Sequence, residues 1–105
     1  MRIAVDLPKA YRLLNHGPTV LVSATHEGRA NVMSAAWCMA LDFDPPKLAL
    51  VLDKRCFTRE LLLASQRFAI SVPCRAQACL VTALGTHSGH VQDKLADFDV
   101  PLLNE

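Results

Sequence analysis

TVLVSATHEGRANVMSAAWCM, residues 19–39, is the stretch on which the fold depends. Thr19 to Thr25 is β-branched and apolar, the composition of a strand. His26-Glu27-Gly28-Arg29 supplies a turn, with Gly28 placed where positive φ is tolerated. Ala30 to Met39 then reads as the partner strand of a hairpin. Upstream, Lys9 to Asn15 forms a short amphipathic helix, which His16-Gly17-Pro18 ends because proline cannot continue it. Downstream, Asp44-Pro45-Pro46 breaks the chain and forces extended geometry on Asp44. The continuous apolar run Lys47 to Leu52 is expected to be a strand buried on both faces.

Thr58 stands where an N-cap would, ahead of a helix from Arg59 to Ser65 with Glu60 in its first turn. Arg67 to Val72 reads as a further strand stopped by Pro73, and Arg75 to Leu84 as a helix closed by Gly85. Thr86 to Glu105 is polar and loop-like until Asp97-Phe98-Asp99-Val100. The predicted order is short helix, hairpin, strand, helix, strand, helix. So few strands cannot close a barrel, so either edges stay open or another chain covers them. Residues 1–105 are read as one domain, since no repeat, low-complexity tract or charge block marks a boundary.

A hydrophobic fraction of 51% is high for a domain of 105 residues, and apolar surface left for a partner subunit explains it best. The net charge of +1 is made of scattered charges, with no basic stripe for a phosphate backbone, so no nucleic-acid partner is expected. The four cysteines, Cys38, Cys56, Cys74 and Cys79, form no C-x-x-C pair; they read as reduced, mostly buried thiols of a cytoplasmic protein, and no signal peptide is evident. No apolar run approaches membrane-span length, so no membrane partner is expected.

Three segments could carry chemistry. Asn31-Val32-Met33-Ser34-Ala35-Ala36-Trp37 is rich in small residues, which let a planar ligand lie close to backbone N–H groups; crowding against a helix would explain the same composition. Asp53-Lys54-Arg55-Cys56-Phe57-Thr58 brings two cations and a hydroxyl to a helix start, which suits a phosphate monoester, although an ordinary solvated loop looks similar. Gly85-Thr86-His87-Ser88-Gly89-His90 could be a flap over a ligand, or a loop with solvated histidines. His87 and His90 lack a third ligand at metal spacing, so no metal is expected. Cys74 before Arg75 lies near a helix start, where a thiol pKa could fall, but nothing in the sequence pairs it with a histidine.

Taken in order, HGPTVLVSA, EGRAN, NVMSAAW, DFDPPKLALVLDK, the T-R-E-L helix start, RFAISVP and SGHVQDKLADF resemble the flavin reductase-like family, from His16 to about Phe98. The resemblance implies a mainly-β protein with short helices, a Greek-key split barrel that dimerises and binds FMN, less often FAD, near the subunit interface. By position, Asn31, Met33, Ser34, Ala35, Ala36 and Trp37 would line the isoalloxazine, largely through backbone groups. Asp53, Lys54, Arg55 and Thr58 would hold the ribityl phosphate, with Lys54 and Thr58 in direct contact. Ser88, Gly89 and Lys94 correspond to the loop that approaches the flavin or nicotinamide. Two departures stand out: the family's Phe after D-K is Leu95, and the chain stops where family members continue, leaving the barrel incomplete at its C-terminus.

The implied reaction is hydride transfer from NADH or NADPH to the flavin, which needs no protein residue as acid, base or nucleophile. Reduced flavin would then pass to a monooxygenase or another electron-acceptor protein. The alternatives are an FMN-binding electron carrier that does not oxidise nicotinamide, and a dimerising remnant that has lost the flavin.

Overall fold

The computed structural model describes residues 3–88 and Lys94. A 3-10 helix at Leu7–Leu13 leads, through Gly17 at φ +72°, into β1 at Val20–His26. β1 pairs antiparallel with β2 at Arg29–Ala35, from Val20 opposite Ala35 to His26 opposite Arg29. The two-residue turn holds both Glu27 (φ 49°) and Gly28 (φ 79°) in the left-handed region, the geometry whose twist suits a tight hairpin.

The expected partner strand Ala30 to Met39 divides in two. The Cys38 N–H turns back onto the Ala36 carbonyl at 3.0 Å, a reversal that ends β2. β3 starts at Cys38 and runs to Phe43 in a different sheet. It pairs with β4, Pro46–Leu50, with an irregularity between Ala40 and Asp42. Asp44-Pro45 interrupts the strand as expected: Phe43 faces Pro46 across a two-residue reversal with a cis Asp44-Pro45 bond.

α1, Phe57–Ser65, is followed by β5 at Ala69–Ser71, which pairs with the free edge of β1. A single 3-10 turn at Arg75–Gln77 then opens α2, Ala78–Thr86. Two expectations about helix ends are corrected. The N-cap of α1 is Cys56, whose sulfur accepts the Arg59 N–H at 3.3 Å, and Thr58 lies inside the first turn. Gly85 lies within α2 instead of closing it; a Cβ there would sit 3.2 Å from the Ser34 Cβ, so glycine favours this close approach of helix and β2.

The sheets are therefore β2-β1-β5 and β3-β4, and the architecture is mainly β with short helices. The strand buried on both faces is β1, not the apolar run at Lys47 to Leu52. Val20 and Val22 pack with Ala35 and Cys38 between the two sheets, whereas Leu21 packs with Val32 and Leu84 beneath α2. Farther along β1, Ala24 meets Phe57 and Leu61 of α1. A central strand with neighbours on both edges and elements packed on both faces is covered along most of its length, with Thr25 near its end exposed. β4 has one described neighbour, and Leu48, Ala49 and Leu50 are only half-buried.

Candidate functional site

β2, the loop into α1 and the end of α2 enclose a cleft of about 580 Å3. On the β2 wall, Asn31 is buried and its amide donates to the Thr58 hydroxyl oxygen at 3.0 Å. Thr58 is fully buried, so this bond ties the strand to the first turn of α1. Next along the strand, Met33 Sδ accepts the Cys56 thiol at 3.4 Å. Ser34, which also lines the cleft, donates its hydroxyl to the Val81 carbonyl of α2. The strand's small residues thus do what close packing against a helix requires, and they also leave room beside it.

The loop wall is held by Asp53. Its carboxylate accepts the Arg55 N–H at 2.8 Å and pairs with the Arg55 guanidinium at 3.4 Å. Those two hydrogen bonds, the backbone one first, hold the Asp53 carboxyl below the usual range. Arg29, at the start of β2, stacks its guanidinium 4.4 Å from the centre of the Phe57 ring. Together these place the first N–H groups of α1 and the exposed Arg55 at the mouth of the cleft.

Lys94 closes the floor. It is only 3% exposed, and its ammonium donates to the Leu84 carbonyl at 2.9 Å. It takes no part in the His26–Glu27 and Arg55–Asp53 ion pairs. Burial pushes its pKa down, opposed by the nearby Cys56. At the opposite end, His87 Nδ1 lies 2.8 Å from the Ala83 carbonyl, at the C-terminus of α2.

Of the residues singled out in the sequence, Asn31, Met33, Ser34, Asp53, Arg55, Thr58, Ser88 and Lys94 line this one cleft. Ala35, Ala36, Trp37 and Lys54 do not. Trp37 is 74% exposed beyond the end of β2, with its carbonyl taken by the Val51 N–H at 3.0 Å. Gly89 lies outside the described residues. The cleft also contains Cys56 and Phe57 of the candidate phosphate segment and Gly85 and His87 of the candidate flap, none singled out as a contact from sequence, and Leu84, which had no site role there. Their signal was local: Cys56 and Phe57 directly precede the predicted helix, and Gly85 and His87 lie within the predicted flap.

No group of three or more His, Cys, Asp or Glu among the described residues could hold a metal ion, and no helix there is long and apolar enough to cross a membrane.

Residues 12–102 match the family model of the flavin reductase like domain. An FMN-binding domain of a flavin reductases-like enzyme from Shewanella baltica OS155 superposes with a TM-score of 0.92 at 54% identity, covering 98% of this chain and 55% of that one. An FMN-binding protein from Thermus thermophilus, solved with bound 1-cyclohex-2-enone, superposes at 0.73 with 34% identity, covering 91% of this chain and 53% of that one. The uncharacterized protein YddH of Escherichia coli K12 is 42% identical over 103 residues, which is 96% of this chain and 54% of YddH. The chain thus spans about half the length of the relatives it matches.

Proposed function

The chain belongs to the flavin reductase-like domain family, and on that premise we propose that its cleft binds FMN and that the protein is an NAD(P)H-dependent flavin reductase. The observation that carries the reading is Lys94: a buried ammonium without a described counter-charge, on the floor of a cleft sized for a small molecule. A cation so placed favours an anionic ligand, and FMN brings both a phosphate and a ring whose reduction adds negative charge.

The residues present fit such a ligand. Arg55 at the mouth offers a cation to the phosphate beside the start of α1, with Asp53 fixing the loop. The backbone of Met33 and Ser34 runs along the wall, where a flat ring system would lie. Asn31 and Thr58 bond each other and hold that wall to α1; their part is to fix its shape. Lys94 stabilises negative charge deep in the cleft, and Leu84 and Phe57 exclude water around it. Bound flavin would accept a hydride from NADH or NADPH and pass electrons onward to an acceptor protein such as a monooxygenase; the chain's own residues bind, orient and supply charge.

The reading includes a homodimer. Trp37, Met39, Leu41, Phe43 and Val51 are each 58–74% exposed around the β3-β4 sheet, and a second copy would cover them.

A visible absorption spectrum of the purified protein, taken before and after adding FMN and then NADH or NADPH, tests the proposal. A bound-flavin spectrum bleached by nicotinamide is the expected result. Bound flavin that stays oxidised would leave an electron carrier, and the absence of flavin uptake would refute the reading.

A further inference from the structure

We propose that Arg29, which stands outside the cleft, is a positioning residue for the flavin and acts through the ring of Phe57. The inference rests on the flavin reading above and deepens it, adding to the site a residue that does not line it.

Side chains two apart on a strand share a face, and β2 sets three in succession against the start of α1. Arg29 stacks on Phe57, its guanidinium 4.4 Å from the ring centre. Asn31 donates to the Thr58 hydroxyl at 3.0 Å, and Met33 Sδ accepts the Cys56 thiol at 3.4 Å. Alternate residues of the strand thus engage three consecutive residues at the helix entry, each by a different kind of contact. Asn31, Met33, Cys56, Phe57 and Thr58 all line the cleft, and Arg29 does not. Its place in the series is the observation that carries the inference.

Phe57 is only 6% exposed, whereas Arg29 lies at the surface. The ring is held by Ala24 and Leu61, which pack with it, and by the guanidinium stacked on it. A guanidinium in that position attracts the π-electrons, and its stem keeps water off the ring. Without Arg29 the ring gains freedom to turn, and the wall that a ligand meets is no longer fixed. The buried Asn31–Thr58 bond still holds helix to strand, so the fold survives the change. The flavin would then have to order the wall itself, which lowers its affinity. A surface cation could instead attract the phosphate through space, and salt separates that role from positioning.

The test titrates FMN into the unaltered protein and into Arg29→Ala, Arg29→Lys, Phe57→Leu and the Arg29→Ala/Phe57→Leu double variant. Each titration is run at low salt and again near 1 M, where the Debye length is about 3 Å. Arg29→Ala should weaken binding about two- to fivefold, the worth of a cation–π contact at an exposed site, in both salts. Arg29→Lys, which keeps a cation beside the ring, should recover most of that loss. In the Phe57→Leu background, Arg29→Ala should cost nothing further. Unchanged affinity in Arg29→Ala overturns the proposal, as does a Lys variant as weak as the Ala variant. A loss that disappears at high salt, or that persists in full without the Phe57 ring, makes Arg29 a direct attractor of the phosphate and also overturns it. If Phe57→Leu does not fold, the salt series and the Lys variant decide the matter. No FMN uptake by the unaltered protein overturns the flavin reading and this inference with it, whereas uptake that ignores Arg29 overturns this inference alone.

Discussion

The cleft wall of β2 and the outer face of β3-β4 are built from neighbouring stretches of chain, yet they solve opposite problems. Along β2, Asn31 and Ser34 are polar but each side chain has a partner, Thr58 and Val81, and Gly85 brings α2 into close contact. Around β3-β4, Trp37, Met39 and Val51 are large and apolar, and 58–74% exposed. Polar side chains are satisfied along the proposed ligand wall, and apolar side chains are bare on the proposed dimer face. The difference shows that hydrophobicity alone does not separate core from interface or site: what separates them is whether each group's needs are met within the chain.

The largest expected effect lies on the cleft floor. Lys94→Met should cost FMN binding about 1.5–3 kcal/mol, the worth of a hydrogen bond to a charged group, or roughly ten- to a hundredfold in affinity by titration. The same change should leave the free protein no less stable, because it removes an ammonium that burial disfavours. Since burial lowers the Lys94 pKa, the unfolded chain holds more protons than the folded one just below the ordinary lysine value. Stability of the free protein therefore rises with pH through that alkaline window, and urea titrations of the Met variant should lose the slope. A variant that unfolds more easily would mean that the cleft floor is structural in the same sense as the core.

A smaller effect is expected on the wall. Asn31→Ala leaves the fully buried Thr58 hydroxyl without its donor and should destabilise the fold by about 1–3 kcal/mol in urea. Combined with Thr58→Val, the loss should be less than the sum of the two singles, since both remove one bond. Additive losses would deny that the pair acts as a unit.

The smallest effect on folding belongs to the bare face. Met39→Ser with Val51→Ser should change the chain's own stability by no more than about 0.5 kcal/mol per site, as exposed positions do. Its consequence should appear in sedimentation instead, as a shift from dimer toward monomer. A loss of stability with unchanged sedimentation would make the face part of the chain's own packing.

Much of this was legible in the residues. The hairpin at His26 to Arg29 followed from β-branched patterning and a glycine turn, and both are local. The end of β2 was not legible, since Ala36-Trp37 carries no breaker and the reversal there is a backbone choice set by packing into a second sheet. Thr58 reads as the cap because hydroxyl residues usually cap helices, whereas the Cys56 sulfur does it here. Gly85 was taken for a stop because glycine so often is one, and its actual use depends on Ser34, 51 positions earlier in the chain (85 minus 34). Lys94 entered only through family resemblance; its burial is a tertiary fact that no pattern around it encodes.

The Asn31–Thr58 bond also bears on anyone who would redesign this cleft. Both side chains are spent on holding strand to helix, so changing them to suit a new ligand would draw on the stability of the whole molecule. Arg55 and Ser88 touch the same space from exposed positions. Specificity can be rewritten at those two with little penalty to the scaffold, and a mutant library should begin there.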